Sequence, residues 1–335
     1  MEAVTRTVVV SGSLVGLTLQ EVVRVAFPQL GAREVFKKCR TGEIRVGDRR
    51  RQPLERVGEA EIIHVTIQVP EAPLLKPILF ENRRVETTAG PLMVLREDED
   101  LLVAAKDSGC ASHPALRRSG DTLLERVLRY LPPDPEGDFK PALANRLDIE
   151  TSGIVLVGKN QASRRHLGHD LQKRRIEKRY LALVAGEPPS EGDITLPLLQ
   201  KPDSRDLARY PAGHEKLNPK TLSAHTRYRV LQTARNLIAA SLVEIELITG
   251  RTHQIRRHFA MIGHPVALDR TWGDGGFNRE IRDALDLDRM FLHSARVRLP
   301  HPTTRHIIEI CAPMSPELVH CLAELGMARD ERGSP

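Results

Sequence analysis

The sequence predicts an α+β protein in two parts. Three observations carry this. After residue 92, short β-branched and alternating apolar runs outnumber the helical stretches. Pro70, Pro73 and Pro77 interrupt the pattern between a small first segment and the rest. With 335 residues, 40 % hydrophobic and 28 % charged, the chain has enough apolar material for a sizeable core and a length suited to roughly two domains.

Residues 1–68 form the first unit, of α/β type. Thr5 to Val10 is a β-branched run and reads as a strand. Thr18 caps a helix from Leu19 to Ala26, with Glu21 completing a capping box and Pro28 ending it. A second helix runs from Ala32 to Cys39 and carries Arg33, Lys37 and Lys38 before Gly42 stops it. Ile44 to Val46 alternates as a short strand, Gly47-Asp48 turns the chain, and Glu61 to Val69 is another strand. Residues 69–91 are expected as a linker or an edge segment crossing to the larger domain, 92–325, with a polar tail over 326–335.

In the larger domain, Leu92 to Leu95 and Leu101 to Ala105 are apolar strands on either side of the acidic turn Glu97-Asp98-Glu99-Asp100. Asp121 precedes an amphipathic helix, Thr122 to Tyr130. Ile154 to Val157 reads as a buried strand, Ser163 to Arg174 as a basic helix and Tyr180 to Ala185 as a strand. Thr226 to Leu231 and Ala239 to Thr249 are expected to pair. Thr252 to Ile262 is a helix, and Phe291 to Leu299 and His306 to Ala312 are strands.

The net charge of +6 suits a polyanionic partner. Four cysteines, Cys39, Cys110, Cys311 and Cys321, form no CxxC pair, which argues against a zinc ribbon or a disulfide framework. The first residues lack the apolar core of a secretory signal, and no run reaches the ~18–20 apolar residues of a membrane span. A cytoplasmic, soluble protein is expected.

Three polar constellations stand out. Asn145 to Gly153 concentrates turn residues just before a buried strand, a common way to hold reactive groups on a rigid edge. Gly250 to His258 joins a strand to a helix, and the helix N-terminus with Arg251 suits an anion. His253 and His258 are five apart, not the i, i+4 pair of a helical zinc motif, so no metal is expected. Between 164 and 179, Arg164, Arg165, Lys173, Arg174, Arg175, Lys178 and Arg179 face only Asp170 and Glu177, and Tyr180 follows. That pattern fits an RNA-backbone track beside a base-stacking platform, and equally a solvated helix followed by a core tyrosine.

The stretches NRLDIETSG (145–153), EKRYLALVAGE (177–187), GRTHQIRRHFAMIGHP (250–265) and FLHSARVRLPHP (291–302) occur in that order. Together they resemble the RluA-type pseudouridine synthases, and EDEDLLVAAKDSGCASHP (97–114) is similar to that family's opening strand and loop. The resemblance covers about 92 to 318. In front of it, GAREVFKKCRTGEIRVGDRRRQPLERV resembles the RNA-binding domain named for ribosomal small-subunit protein four. The departures are Asn145 for a usual His, Ile149 for a charged residue, Ser294 for Ala, Leu268 for Gly, and Lys106-Asp107-Ser108-Gly109 for a Lys-Pro-x-Gly turn.

The resemblance implies a long mixed, mainly antiparallel sheet flanked by helices, with a cleft across its middle. It implies an isomerase that detaches uracil from ribose at nitrogen, rotates it and rejoins it through carbon 5, without metal or organic cofactor. The family's aspartate falls on Asp148. Its flipping arginine, which fills the space left by the extruded uridine, falls on Arg146. The aromatic that stacks on uracil falls on Tyr180. The basic partner of the aspartate falls on Arg256, with Arg251 a nearby competitor. Asp148 serves as nucleophile or as the base that yields a glycal; residue type does not choose. His253, Lys173, Arg174, Arg175, Lys37 and Lys38 are the further candidate RNA contacts. The implied partner is RNA, ribosomal in preference to transfer RNA, bound by a monomer needing no obligate protein partner. Two competing readings are a catalytically silent RNA binder and a hydrolase pairing Asp148 with Glu150.

Overall fold

The structure is a computed structural model that describes residues 2–10, 15–26, 32–69, 80–114, 121–131, 139–200 and 221–327. Pro28, the prolines at 70–77 and the tail from 328 lie outside the described residues. The chain divides into two compact units, Met1–Leu75 and Lys76–Pro335.

The smaller unit comprises β1 (Glu2–Val9), α1 (Leu19–Ala26), α2 (Ala32–Thr41), β2 (Ile44–Val46) and β3 (Ile62–Val69). Its strands form an antiparallel sheet in the order β1-β3-β2. Helix α1 begins with the expected capping box: the Thr18 amide donates to the Glu21 carboxylate at 2.9 Å, and the Glu21 amide to the Thr18 hydroxyl at 3.3 Å. Leu19, Val22, Val23, Val35, Ile44 and Ile63 build its core. The two α2 lysines part company here. Lys37 is exposed, but Lys38 lies one turn from Val35 on the buried stripe and donates to Glu43 at 2.5 Å. Helical phase thus takes Lys38 off the surface expected to meet RNA.

The larger unit begins earlier than residue 92. Residues expected as linker or crossing segment form β4 (Phe80–Thr87), which pairs with β5 (Gly90–Glu97) as the edge of the main sheet. A tight turn at Gly90, φ 112°, joins them, a backbone region that glycine enters without strain. There follow β6 (Leu101–Lys106), α3 (Leu123–Tyr130), β7 (Ala142–Leu143), β8 (Ser152–Gly158), α4 (Gln161–Gln172), β9 (Glu177–Ala185) and β10 (Glu191–Ile194). Next come β11 (Leu198–Leu199), β12 (Thr221–Leu222), β13 (Thr226–Ala234), β14 (Ala240–Leu247) and α5 (Gln254–Met261). The remainder is α6 (Gly275–Leu285), β15 (Leu292–Pro300), β16 (Ile307–Cys311) and α7 (Pro316–Glu324). Thr122, not Asp121, caps α3; Asp121 pairs instead with Arg126. Met327, assigned to the tail, is buried against α7's core.

The 11-stranded sheet runs β10-β13-β14-β9-β15-β8-β6-β5-β4, with β16 on β15 and β7 on β8. All its pairs are antiparallel except β15 with β8, where His293 faces Ser152 and Ser294 faces Gly153. The sheet is therefore mixed and mainly antiparallel, with helices on both faces. Alternation along β9 shows the two layers: Tyr180, Ala182 and Val184 join one core with Phe259 of α5, and Leu181 and Leu183 join another with Ile281 of α6 and Leu318 of α7. Among the described residues no helix is long and apolar enough to cross a membrane.

Candidate active site

The loop 145–151 enters β8 at the one parallel contact of the sheet. Gly153 is required there. Its φ is 111°, and a Cβ would overlap the backbone of Ser294 on the neighbouring strand. Hydrogen bonds from the end of β6 and the loop that follows it hold the loop on both sides of Asp148. The Ser112 hydroxyl donates to the Leu147 carbonyl at 2.8 Å and accepts its amide at 3.1 Å. The buried Lys106 ammonium donates to the carbonyls of Asp107, Cys110 and Ile149 at 2.7–2.9 Å. Burial pushes the Lys106 pKa down to about 8, against the pull of the Asp107 and Asp148 charges.

The facing wall is the turn from β14 into α5. Gln254 organises it: its carbonyl accepts from the Thr249 hydroxyl and the Arg251 amide, and its amide donates to the His225 carbonyl and the Thr226 hydroxyl. His253 caps α5 in the left-handed region, φ 52°. One turn into the helix, Arg256 donates twice to Asp269 at 2.7 Å and once to Asp148 at 3.1 Å. Burial alone would raise the Asp269 carboxyl. The Arg256 hydrogen bonds, with the Trp272 and Thr271 amides, hold it below the usual carboxylate range. The guanidinium is thus locked by a buried carboxylate and offers its remaining edge to Asp148, whose side chain is 22 % exposed. Leu268, where the family pattern has Gly, adopts φ 59°, so the position calls for the backbone that glycine supplies.

Trp272 fixes the ring of His253. Its indole N–H donates to Nδ1 at 3.2 Å, which leaves Nε2 as the protonated nitrogen, 3.9 Å from an Asp148 oxygen. Burial pushes the His253 pKa down, against the pull of Asp148. Tyr180 is buried; desolvation pushes its phenol up to about 12, opposed by the Ser294 hydroxyl and assisted by the Asp148 charge.

Asp148, Tyr180, Arg256, Arg146, Arg251 and His253 all line one cavity of about 450 Å³. Arg146 is exposed at its lip. Arg251 donates to the Ser223 carbonyl, so of the two arginines considered for Asp148 it is Arg256 that bonds to it. Lys173, Arg174 and Arg175 are exposed just past α4; Arg175 reaches Asp170 at 3.5 Å. Lys37 and Lys38 belong to the smaller unit. Glu150 lies near Arg270 at 3.6 Å and does not line the cavity, contrary to a two-carboxylate hydrolase.

Sequence reasoning missed Asp269 and Trp272. The run Asp269-Arg270-Thr271-Trp272 carried a signal, a lone aspartate followed by the chain's single tryptophan, but nothing local pointed it at Arg256.

A family profile described as RNA pseudouridylate synthase matches residues 100–261. Ribosomal large subunit pseudouridine synthase C of Escherichia coli K12 is 32 % identical over 329 residues, 97 % of this chain and 98 % of that protein. The protein of the same name from Pasteurella multocida is 34 % identical over 301 residues, 90 % of this chain and 86 % of its own. Among solved structures, human RNA pseudouridylate synthase domain containing 1 aligns with TM-score 0.54 and 27 % identity, covering 69 % of this chain and 87 % of that one.

Proposed function

Because the chain belongs to the RluA-type RNA pseudouridine synthases, and is an isomerase of that kind, we propose that it converts uridines of ribosomal RNA to pseudouridine with Asp148 as its single catalytic carboxylate. The observation that carries this is the Asp148–Arg256 hydrogen bond inside a cavity that Tyr180 also lines. The ribosomal assignment rests on the relatives' names.

In this reading the target uridine leaves the RNA stack, at a cost of a few kcal/mol recovered in the fitted pocket. Arg146, exposed at the lip, occupies the vacated space. The uracil lies on the face of Tyr180. Asp148 acts at the ribose or the ring while the N1–C1′ bond breaks. Arg256, itself held by Asp269, keeps that carboxylate oriented. The base rotates and C5 bonds to C1′. The C5 proton then leaves and N1 gains one, so the product is an isomer of the substrate. A phenol held near 12 is protonated at neutral pH, so Tyr180 does not start as a proton acceptor; water or the Asp148 carboxylate takes the C5 proton.

The smaller unit is proposed to hold RNA through the exposed Arg33, Lys37 and Arg40 of α2, leaving Lys38 as an internal ion pair. One chain supplies every residue invoked, so a monomer suffices.

The test is tritium release from cellular RNA labelled at carbon 5 of uracil, taken from a strain lacking the gene. Wild type is expected to release tritium from large-subunit ribosomal RNA, and Asp148→Asn to be slower by at least about 10³-fold. Release by neither protein favours the silent binder. Release from transfer RNA alone overturns the ribosomal assignment. Equal release by both moves the catalytic carboxylate elsewhere.

A further inference from the structure

Lys178 stands on β9 two residues before Tyr180, so both side chains leave the strand on the cleft face, about 7 Å apart along it. It lines the active-site cavity and an adjoining one of about 280 Å³, the two sharing Gln172 and Gly250. Its ammonium lies against Gly250, 3.8 Å from where a Cβ of that residue would stand.

The neighbouring cations of this sheet are occupied. Arg179 reaches Glu244 and Glu246, Arg229 holds Glu244, and Arg298 holds Glu177. Among the described residues no hydrogen bond or ion pair reaches the Lys178 ammonium. Burial pushes its pKa down, with no carboxylate acting against that. A half-buried ammonium without an anion is unfavourable unless an anion arrives with the substrate. Asp148, the carboxylate of the cavity, is already engaged by Arg256. The remaining anion that accompanies a uridine is its backbone phosphate, and the smaller cavity beside the base platform is bordered by Arg174 and Arg251 and also by Glu246 and Glu177, whose charges Arg179 and Arg298 already meet.

We propose that Lys178 binds a backbone phosphate next to the extruded uridine, in the smaller cavity, and so sets where the uracil rests on Tyr180. This rests on the RNA isomerase reading above. It separates Lys178 from the exposed Lys173–Arg175 rim: the rim attracts the strand, whereas Lys178 fixes one nucleotide.

The experiment compares wild type with Lys178→Met, Lys178→Gln and Lys178→Arg on unmodified large-subunit ribosomal RNA made by transcription. Binding is measured between about 50 and 200 mM salt. The Met and Gln variants are expected to lower the slope of log K against log salt by about 0.7–0.9, the value of one phosphate contact. Tritium-release KM is expected to rise about tenfold with kcat changed less. Lys178→Arg keeps the slope. Melting of the Met variant at or above that of wild type shows that the fold is intact. An unchanged slope and KM in both neutral variants overturns the proposal. So does a fall in kcat with the slope unchanged, which assigns Lys178 to proton transfer. If wild type binds but releases no tritium, the isomerase reading fails, while the slope difference still decides the role of Lys178.

Discussion

Two of the charge clusters buried in the larger unit differ in one respect. At the β5–β6 hairpin, Glu97 accepts from Lys159 at 2.5 Å and Tyr130 at 2.6 Å. Asp98 accepts from the Asp100 and Leu101 amides and from His301 at 3.0 Å, and His301 accepts the Thr303 and Thr304 amides. Asp98 and His301 side chains are 1 % and 3 % exposed. In the cleft, Asp269 and Arg256 are as deeply buried, at 0 % and 6 %, but the third member, Asp148, is 22 % exposed and borders the cavity. The first cluster closes on itself and ties the hairpin to the segment after β15. The second uses a closed pair to aim a third group outward. Buried charge that satisfies itself holds architecture; the same chemistry with one carboxylate left facing a cavity is a site.

The largest effect should come from Asp269→Ala, which leaves the Arg256 charge buried with only Asp148. A loss of about 3–5 kcal/mol in denaturant unfolding is expected, with turnover reduced in the protein that remains folded. Asp98→Asn, by contrast, should cost about 3 kcal/mol of stability and leave kcat per folded molecule unchanged. A parallel fall in kcat would show that the two clusters are coupled.

Acid separates them from the rest of the core. His258, fully buried, donates Nε2–H to the Leu196 carbonyl and accepts the Thr226 hydroxyl at Nδ1. Burial depresses its pKa to about 4. Below about 6.5 the unfolded chain takes up a proton that the folded state refuses, so this stability is present above that pH and declines toward pH 4, by about 3 kcal/mol. His253 adds in the same direction. Asp98 and Asp269, both held below the usual carboxylate range, stay ionised through that window. His258→Gln should therefore flatten most of the decline; urea midpoints at pH 7 and pH 4.5 that still diverge as in wild type would mean a cluster is titrating.

Trp272→Phe is the mildest test. It removes one hydrogen bond, of about 1 kcal/mol, and releases the His253 tautomer. A fall in kcat of about fivefold with KM unchanged is expected; a change in KM alone would make His253 an RNA contact only.

Local features were legible in the sequence because their causes are local. The α1 capping box, the α5 start after Gly250 and the apolar run Ile154–Val157 of β8 each follow from residues within one turn or one strand. Helix α7 is equally local in origin, since Ser315-Pro316-Glu317 is an N-terminus signature. Lys38 shows the limit of reading charge without phase: a cationic run looks solvated until the helix turns one member inward. The acidic turn at 97–100 has partners that no local pattern shows, because His301 and Lys159 reach it from 203 and 62 residues away.

By itself the sequence determined the α+β class and most strands and helices, and its four ordered motifs singled out Asp148, Arg256 and Tyr180, which line one cavity. Tertiary structure alone decided which strand lies beside which, that Arg256 rather than Arg251 meets Asp148, that Asp269 and Trp272 stand behind them, and that Lys178 meets no carboxylate among the described residues. Propensity and periodicity act over a few residues, whereas these contacts join segments 13 to 141 residues apart. They exist only once the sheet's register has brought those segments together.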